Sequence, residues 1–225
     1  MRRARSTDHA TTWQIASVLL GYPDAALAAQ LPVLAAQIDR LPPETARPLT
    51  RFLEHALGVP TLQLAQHFVE TFDLKRRCCL YLTYYAHGDT RKRGMALLEF
   101  KSAYRRVGLE LGPDELPDHL AVVLEYAATD PVGGRQLLLD HRAGIELLRL
   151  ALEDARSPYA DVLRAVVATL PALGGDEREA VHRLAVKGPP TEEVGLAPFA
   201  PPESMPVALP YPTTRQPDLT GGMHR

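Results

Sequence analysis

Phe72-Asp73-Leu74-Lys75-Arg76-Arg77-Cys78-Cys79-Leu80-Tyr81-Leu82-Thr83-Tyr84-Tyr85, running on through Gly88-Asp89-Thr90-Arg91-Lys92-Arg93-Gly94, sets a cationic run and three tyrosines beside a tight turn signal. Gly88-Asp89-Thr90 ends one helix and starts another. The stretch therefore predicts helices over about residues 76–87 and 90–111, the second burying Leu97, Phe100, Tyr104 and Val107.

Apolar residues recur at helical spacing on both sides of this block. Ile15, Ala16 and Leu19 open the series, and Gly21-Tyr22-Pro23 closes it. Leu27, Leu31, Leu34 and Ile38 follow, with Pro32 predicting a kink or break. Leu49, Phe52, Leu53, Ala56 and Leu57 form a stripe closed by Gly58 and Pro60, and Thr61 is placed to cap the helix carrying Ala65, Phe68, Val69 and Phe72. Leu120, Val123, Leu124 and Ala127 make a further stripe ending near Asp130-Pro131. Gly133-Gly134 reads as a boundary before a helix with Leu138, Ile145, Leu148 and Leu152. Ser157-Pro158 starts a helix with Tyr159, Val162, Leu163, Val166, Val167 and Leu170, and a polar helix runs over about residues 176–186. No strand-period alternation is sustained. The expected fold is all-α: a single globular bundle of about nine or ten helices over residues 1–187. Residues 188–225 hold nine of the 20 prolines and read as a flexible tail.

The formal net charge of −2 argues against a protein built to coat nucleic acid. Locally the charge is segregated. Residues 75–106 carry nine Lys and Arg against Asp89 and Glu99, a net +7, whereas residues 107–134 carry six acids and no Lys or Arg, a net −6. Such blocks can steer charged partners, though solvated helix faces pairing across a turn produce the same pattern. The basic patch comprises Arg76, Arg77, Arg91, Lys92 and Arg93. After Met1-Arg2-Arg3-Ala4-Arg5 no long apolar run follows, so neither a signal peptide nor a membrane span is expected, and the chain reads as cytoplasmic.

Adjacent Cys78 and Cys79 point about 100° apart on a helix and chelate one metal poorly, so they read as core thiols. The eight histidines show no metal-ligand spacing, and serine-nucleophile and phosphate-loop signatures are absent. No catalytic residue, metal or cofactor is expected. Glu115-x-Pro117-Asp118-His119 is the other element with chemistry: Asp114 can cap a turn, Pro117 suits a first helical turn, and the helix dipole favours the Asp118 carboxylate there.

The block 69–94 followed by the E-x-P-D-H element resembles the delta-chain, or NarJ-type, assembly chaperones of respiratory nitrate reductase, within the wider redox-enzyme maturation chaperones. The likeness runs over about residues 12–170 and leaves out the proline-rich tail. It implies an all-helical, cytoplasmic, non-catalytic chaperone that binds the apo catalytic (alpha) subunit through its N-terminal segment until molybdenum cofactor is inserted. Molybdenum cofactor biosynthesis proteins are further candidate partners. The family's peptide-recognition role falls on Glu115, Pro117, Asp118 and His119. An amphipathic helix is then expected to lay its apolar face near Leu120, Val123, Leu124, Tyr81, Tyr84 and Tyr85, with Asp118 and Glu115 facing its basic residues. Two other readings stay open: a direct carrier gripping the cofactor phosphate with the arginines, and a helical nucleic-acid-binding regulator.

Overall fold

The computed structural model describes residues 2–88, 91–112 and 115–187. Asp89, Thr90, Asp114 and the tail from Gly188, all part of the expectations above, lie outside the described residues. In chain order the helices are α1 (Arg2–Leu19), α2 (Ala25–Ile38), α3 (Pro43–Gly58), α4 (Thr61–Phe68), α5 (Leu82–His87), α6 (Arg91–Arg106), α7 (Leu120–Thr129), α8 (Pro131–Asp140), α9 (Arg142–Asp154), α10 (Tyr159–Ala168) and α11 (Gly175–Lys187). A π turn, Val69–Asp73, and a 3-10 turn, Arg76–Cys78, lie between α4 and α5. Among the described residues there is no strand, and none of these helices is long and apolar enough to cross a membrane.

The apolar stripes become the core. α1 packs along α7, and Ile15, Ala16, Leu19, Leu120, Val123, Leu124 and Ala127 are all 0 % exposed. α3 packs on α10, α10 on α9, and α7 on α8. Trp13 anchors the α1 side: its indole N–H donates to Thr169 Oγ1 at 2.8 Å, and that hydroxyl donates to the Val166 carbonyl at 2.6 Å. Phe52 and Phe72 gather around Tyr159, each with its ring centroid 4.8 Å from the tyrosine's. The π turn aims Phe72 into this cluster, its extra residue closed by the Leu74 N–H donating to the Val69 carbonyl at 3.1 Å.

Several local expectations are corrected. Pro32 lies inside an unbroken α2 on its exposed face, where water can take the carbonyl that proline leaves without a donor. Thr61 begins α4 rather than capping it; Pro60 is the cap residue. Leu57 is exposed on α3, Val69 and Leu97 are half-buried, and Val107 is exposed because α6 ends at Arg106. The expected helix 76–87 is instead a 3-10 turn, an extended segment and the short α5. The helix expected to run through Leu138 and Leu152 breaks at His141.

Gly133-Gly134 lies within the first turn of α8 rather than before it. A Cβ on Gly134 would stand 2.1 Å from the Ala127 Cα, so the glycine is what lets α8 press against α7. Asp130 starts that helix. Its carboxylate accepts from the Val132 N–H at 3.3 Å, the Gly133 N–H at 3.1 Å and the Tyr126 hydroxyl at 2.9 Å. The Gly133 amide first, with help from the Tyr126 hydroxyl, holds the carboxyl below the usual aspartate range despite some desolvation.

Asp130→Ala is expected to lower stability by about 1 kcal/mol near neutral pH. The folded pKa lies below the unfolded one, so this contribution is present above about pH 4 and lost as pH falls through the folded value. Urea unfolding of both proteins across pH 7 to 3 checks it: the two curves should converge at the acid end.

Candidate functional site

The two sequence elements that stood apart are joined in space. Cys79 and Tyr81 are extended, as is His119 ahead of α7. Their segments meet as an antiparallel bridge between Tyr81 and His119. The Leu82 N–H donates to the Asp118 carbonyl at 3.0 Å, and the Leu120 N–H donates to the Leu80 carbonyl at 2.8 Å.

Asp118 lies under this bridge and is 0 % exposed. Its Oδ2 accepts from the Thr83 N–H at 3.2 Å and the Thr83 hydroxyl at 2.5 Å, with Arg93 Nη2 at 3.6 Å. Arg93 Nε donates to Thr83 Oγ1 at 3.1 Å, which closes a three-residue ring of polar contacts. Tyr81, the residue just ahead of α5, makes no capping side-chain bond. Asp118 supplies that cap from another part of the chain, and the dipole of α5 favours its charge there. The carboxylate therefore serves α5 from within, rather than the start of α7 or a partner's basic residues.

The other expected site residues take separate places. Glu115 is exposed and folds onto its own turn, accepting from the Gly112 N–H at 3.0 Å. Pro117 is buried, precedes α7 instead of entering its first turn, and gives its carbonyl to the Tyr104 hydroxyl at 2.5 Å. His119 stacks edge-on to Tyr81 with centroids 5.3 Å apart, and burial pushes its pKa down against the opposing pull of Asp118 and Glu115. Leu120, Val123 and Leu124 face α1 in the core, so their side chains cannot line an open groove in this conformation.

The tyrosines divide as well. Tyr81 carries the Arg93 guanidinium 5.5 Å from its ring centroid. Tyr85 is buried, donates to the Arg77 and Cys79 carbonyls at 3.1 and 2.8 Å, and packs against Gly144, where a Cβ would stand 3.1 Å from the ring. Tyr84 remains half-buried beside it. Cys78 is buried, which pushes its thiol pKa up, and Cys79 is half-buried; the two are not joined in a disulfide. The basic patch is divided: Arg93 turns in to Asp118, Arg91 and Lys92 are exposed at the start of α6, and Arg76 and Arg77 lie in the 3-10 turn, where Arg77 meets Asp154 of α9 at 3.5 Å. Among the described residues no group of three His, Cys, Asp or Glu is placed to hold a metal ion.

An open groove of about 690 Å³ runs beside this region. Arg76, Arg77, Tyr84 and Tyr85 line one side, and α9 and α11 supply the rest. The α9 and α11 residues were missed at the sequence level. Their signal was an α9 whose apolar positions, 143, 145, 147, 148, 150, 151 and 152, cover more of the helix than one core contact requires. Of the three expected tyrosines, Tyr84 and Tyr85 reach the groove, while Tyr81 packs against Arg93 and His119 instead. Asp118 touches it indirectly, by holding the start of the helix that carries Tyr84 and Tyr85.

Asp118→Ala is expected to destabilise the fold by about 3 kcal/mol, because it strips a buried amide, hydroxyl and guanidinium of their acceptor. Asp118→Asn should cost less, since its amide oxygen still accepts from Thr83, and Glu115→Gln should stay within about 0.5 kcal/mol. Urea unfolding measures all three. An Asp118→Ala protein as stable as wild type would contradict the capping role.

Comparison with known proteins agrees with this architecture. Residues 38–165 match the nitrate reductase delta subunit family. The chain is 42% identical over 163 residues to the nitrate reductase-like protein NarX of Mycobacterium tuberculosis, a match that covers 72% of this chain and 24% of that protein. It is 33% identical to the probable nitrate reductase molybdenum cofactor assembly chaperone NarJ of Bacillus subtilis, over 75% of this chain and 93% of the relative. With the nitrate reductase molybdenum cofactor assembly chaperone NarJ of Escherichia coli it shares 36% identity over 65% of this chain and 64% of the relative. A solved Archaeoglobus fulgidus protein described as a redox enzyme maturation protein has the same fold, with a TM-score of 0.53 and 24% identity over 70% of this chain and 90% of its own. By its sequence and its all-helical architecture, the chain belongs to the nitrate reductase delta subunit family.

Proposed function

We propose that this protein is a system-specific, non-catalytic chaperone. It binds the apo catalytic subunit of a respiratory nitrate reductase through that subunit's N-terminal segment and supports molybdenum cofactor insertion and enzyme assembly. The observation that carries this reading is the likeness to the Bacillus subtilis NarJ across 93% of that relative's length. The geometry is in keeping with it, because the Asp118 cluster is closed on itself while a groove with apolar lining stays open beside α5. A peptide that folds as an amphipathic helix fits such a groove, with apolar anchors supplying affinity and charge supplying orientation. The carrier and nucleic-acid alternatives are less well supported, since both need converging cations, whereas Arg93 is drawn to Asp118 and Arg77 to Asp154.

A synthetic peptide of the catalytic subunit's N-terminal segment, titrated calorimetrically into the full chain, is expected to bind with a negative heat-capacity change and a gain of helical circular dichroism. Affinity capture from nitrate-respiring cells should recover the same subunit lacking its cofactor. A silent titration would remove the N-terminal segment from the reading, and capture without any nitrate reductase subunit would remove the chaperone assignment.

A further inference from the structure

We infer that the partner's helix seats on the outward face of α9, and that α11 is the movable wall of that seat; the inference rests on the chaperone reading above. α9 is apolar on two sides. Ile145, Leu148 and Leu152 are 0 % exposed and face the core. Leu147, Leu150 and Ala151 lie on the other side, at the spacing of three and four that packs one helix on another, and they floor the groove. Leu150 stays 41% exposed, so the described elements leave this second stripe partly uncovered. Tyr84 and Tyr85 form one wall, and Leu184, Ala185 and Val186 of α11 form the other.

The occupant's chemistry follows from that lining. The floor and walls want large apolar side chains repeating every three to four residues along one face of a helix. At one end Arg76 and Arg77 add positive charge, which suits the C-terminal, negative pole of an incoming helix. Asp154 is the acid in the lining and offers one contact for a basic side chain. Its ion pair with Arg77 spans 3.5 Å with both side chains more than two-thirds exposed, so opening it forfeits little.

α11 is built to move. Among its described side chains Val181 alone is buried, and Val186 is 72% exposed. Its side-chain hydrogen bonds and ion pairs are local. Glu177 accepts from the Gly174 N–H, Arg178 donates to the Leu173 carbonyl, and Arg183 pairs with Glu179. Gly174 precedes it and Gly175 is its first residue, and Cβ atoms there would meet nothing closer than 3.6 Å, so alanines fit the present conformation while narrowing the alternatives. α11 also lies beyond residues 38–165, the span that the family matches.

The test titrates the full chain with the N-terminal peptide and follows amide hydrogen exchange with and without it. Leu150→Asp on the floor and Val186→Asp on the wall both change exposed positions, so melting temperatures near wild type are expected. Each should weaken binding by at least about tenfold. Bound peptide should slow exchange in α11 and in residues 147–151, and the Gly174→Ala/Gly175→Ala protein should associate more slowly. If wild type binds and both aspartate variants bind equally well, the seat lies elsewhere and the chaperone reading stands. If the peptide binds without changing α11 exchange or without slowing in the alanine variant, α11 is a fixed wall. A wild type that fails to bind overturns the seat together with the N-terminal-segment reading.

Discussion

A carboxylate shut away from water must find donors, and at Asp118 one oxygen atom takes all of those the structure provides. Asp118 Oδ2 receives the amide and hydroxyl of Thr83 on α5 and faces the guanidinium of Arg93 on α6, while its own backbone leads into α7. The consecutive helices α5 and α6 and the more distant start of α7 are thereby referred to a single point. The short α5, six residues long and marginal by itself, gains both the missing cap at its start and a backbone bridge to residues 118–120. Its downstream tyrosines inherit that placement. The element with the look of a recognition motif thus acts on the groove by fixing a helix that lines it.

Helix existence was largely legible because apolar stripes state which face is buried, and tertiary packing seldom overrules a strong stripe. Phe52 with Leu49 and Leu53, or Val162 with Leu163 and Val166, left little choice. The failures came where a local signal was ambiguous. Cys78 to Tyr85 is apolar or aromatic at every position but Thr83, so no period stands out, and the buried, half-buried, buried sequence of Leu80, Tyr81 and Leu82 is too short to read as extended chain. Pro32 misled because its penalty depends on whether water can reach the carbonyl it frees, which sequence does not reveal. The groove was legible only as an excess of apolar positions on α9, since its two walls come from helices far apart in the chain.

The segregated charge also has a concrete outcome. The positive and negative blocks, adjacent in sequence, meet at Arg93 with Asp118 and again where Arg106 lies close enough to Asp130 and Tyr126 to influence their ionisation. Elsewhere the cations face outward along α6. Part of the segregation is therefore internal wiring, and part is a surface field of the kind that speeds encounters without fixing their geometry.

The contact of Gly134 with Ala127 carries a different kind of consequence. At the neighbouring Gly133 the atoms that would obstruct a side chain belong to the Tyr126 hydroxyl and the Asp130 carboxylate, which can rotate or be replaced. At Gly134 the obstruction includes the Cα and backbone nitrogen of Ala127, and these are present whatever residue occupies that position. No second change on α7 can make room. Any lineage that keeps these two helices at this depth is confined to glycine at 134, so the position has no compensated route by which to drift.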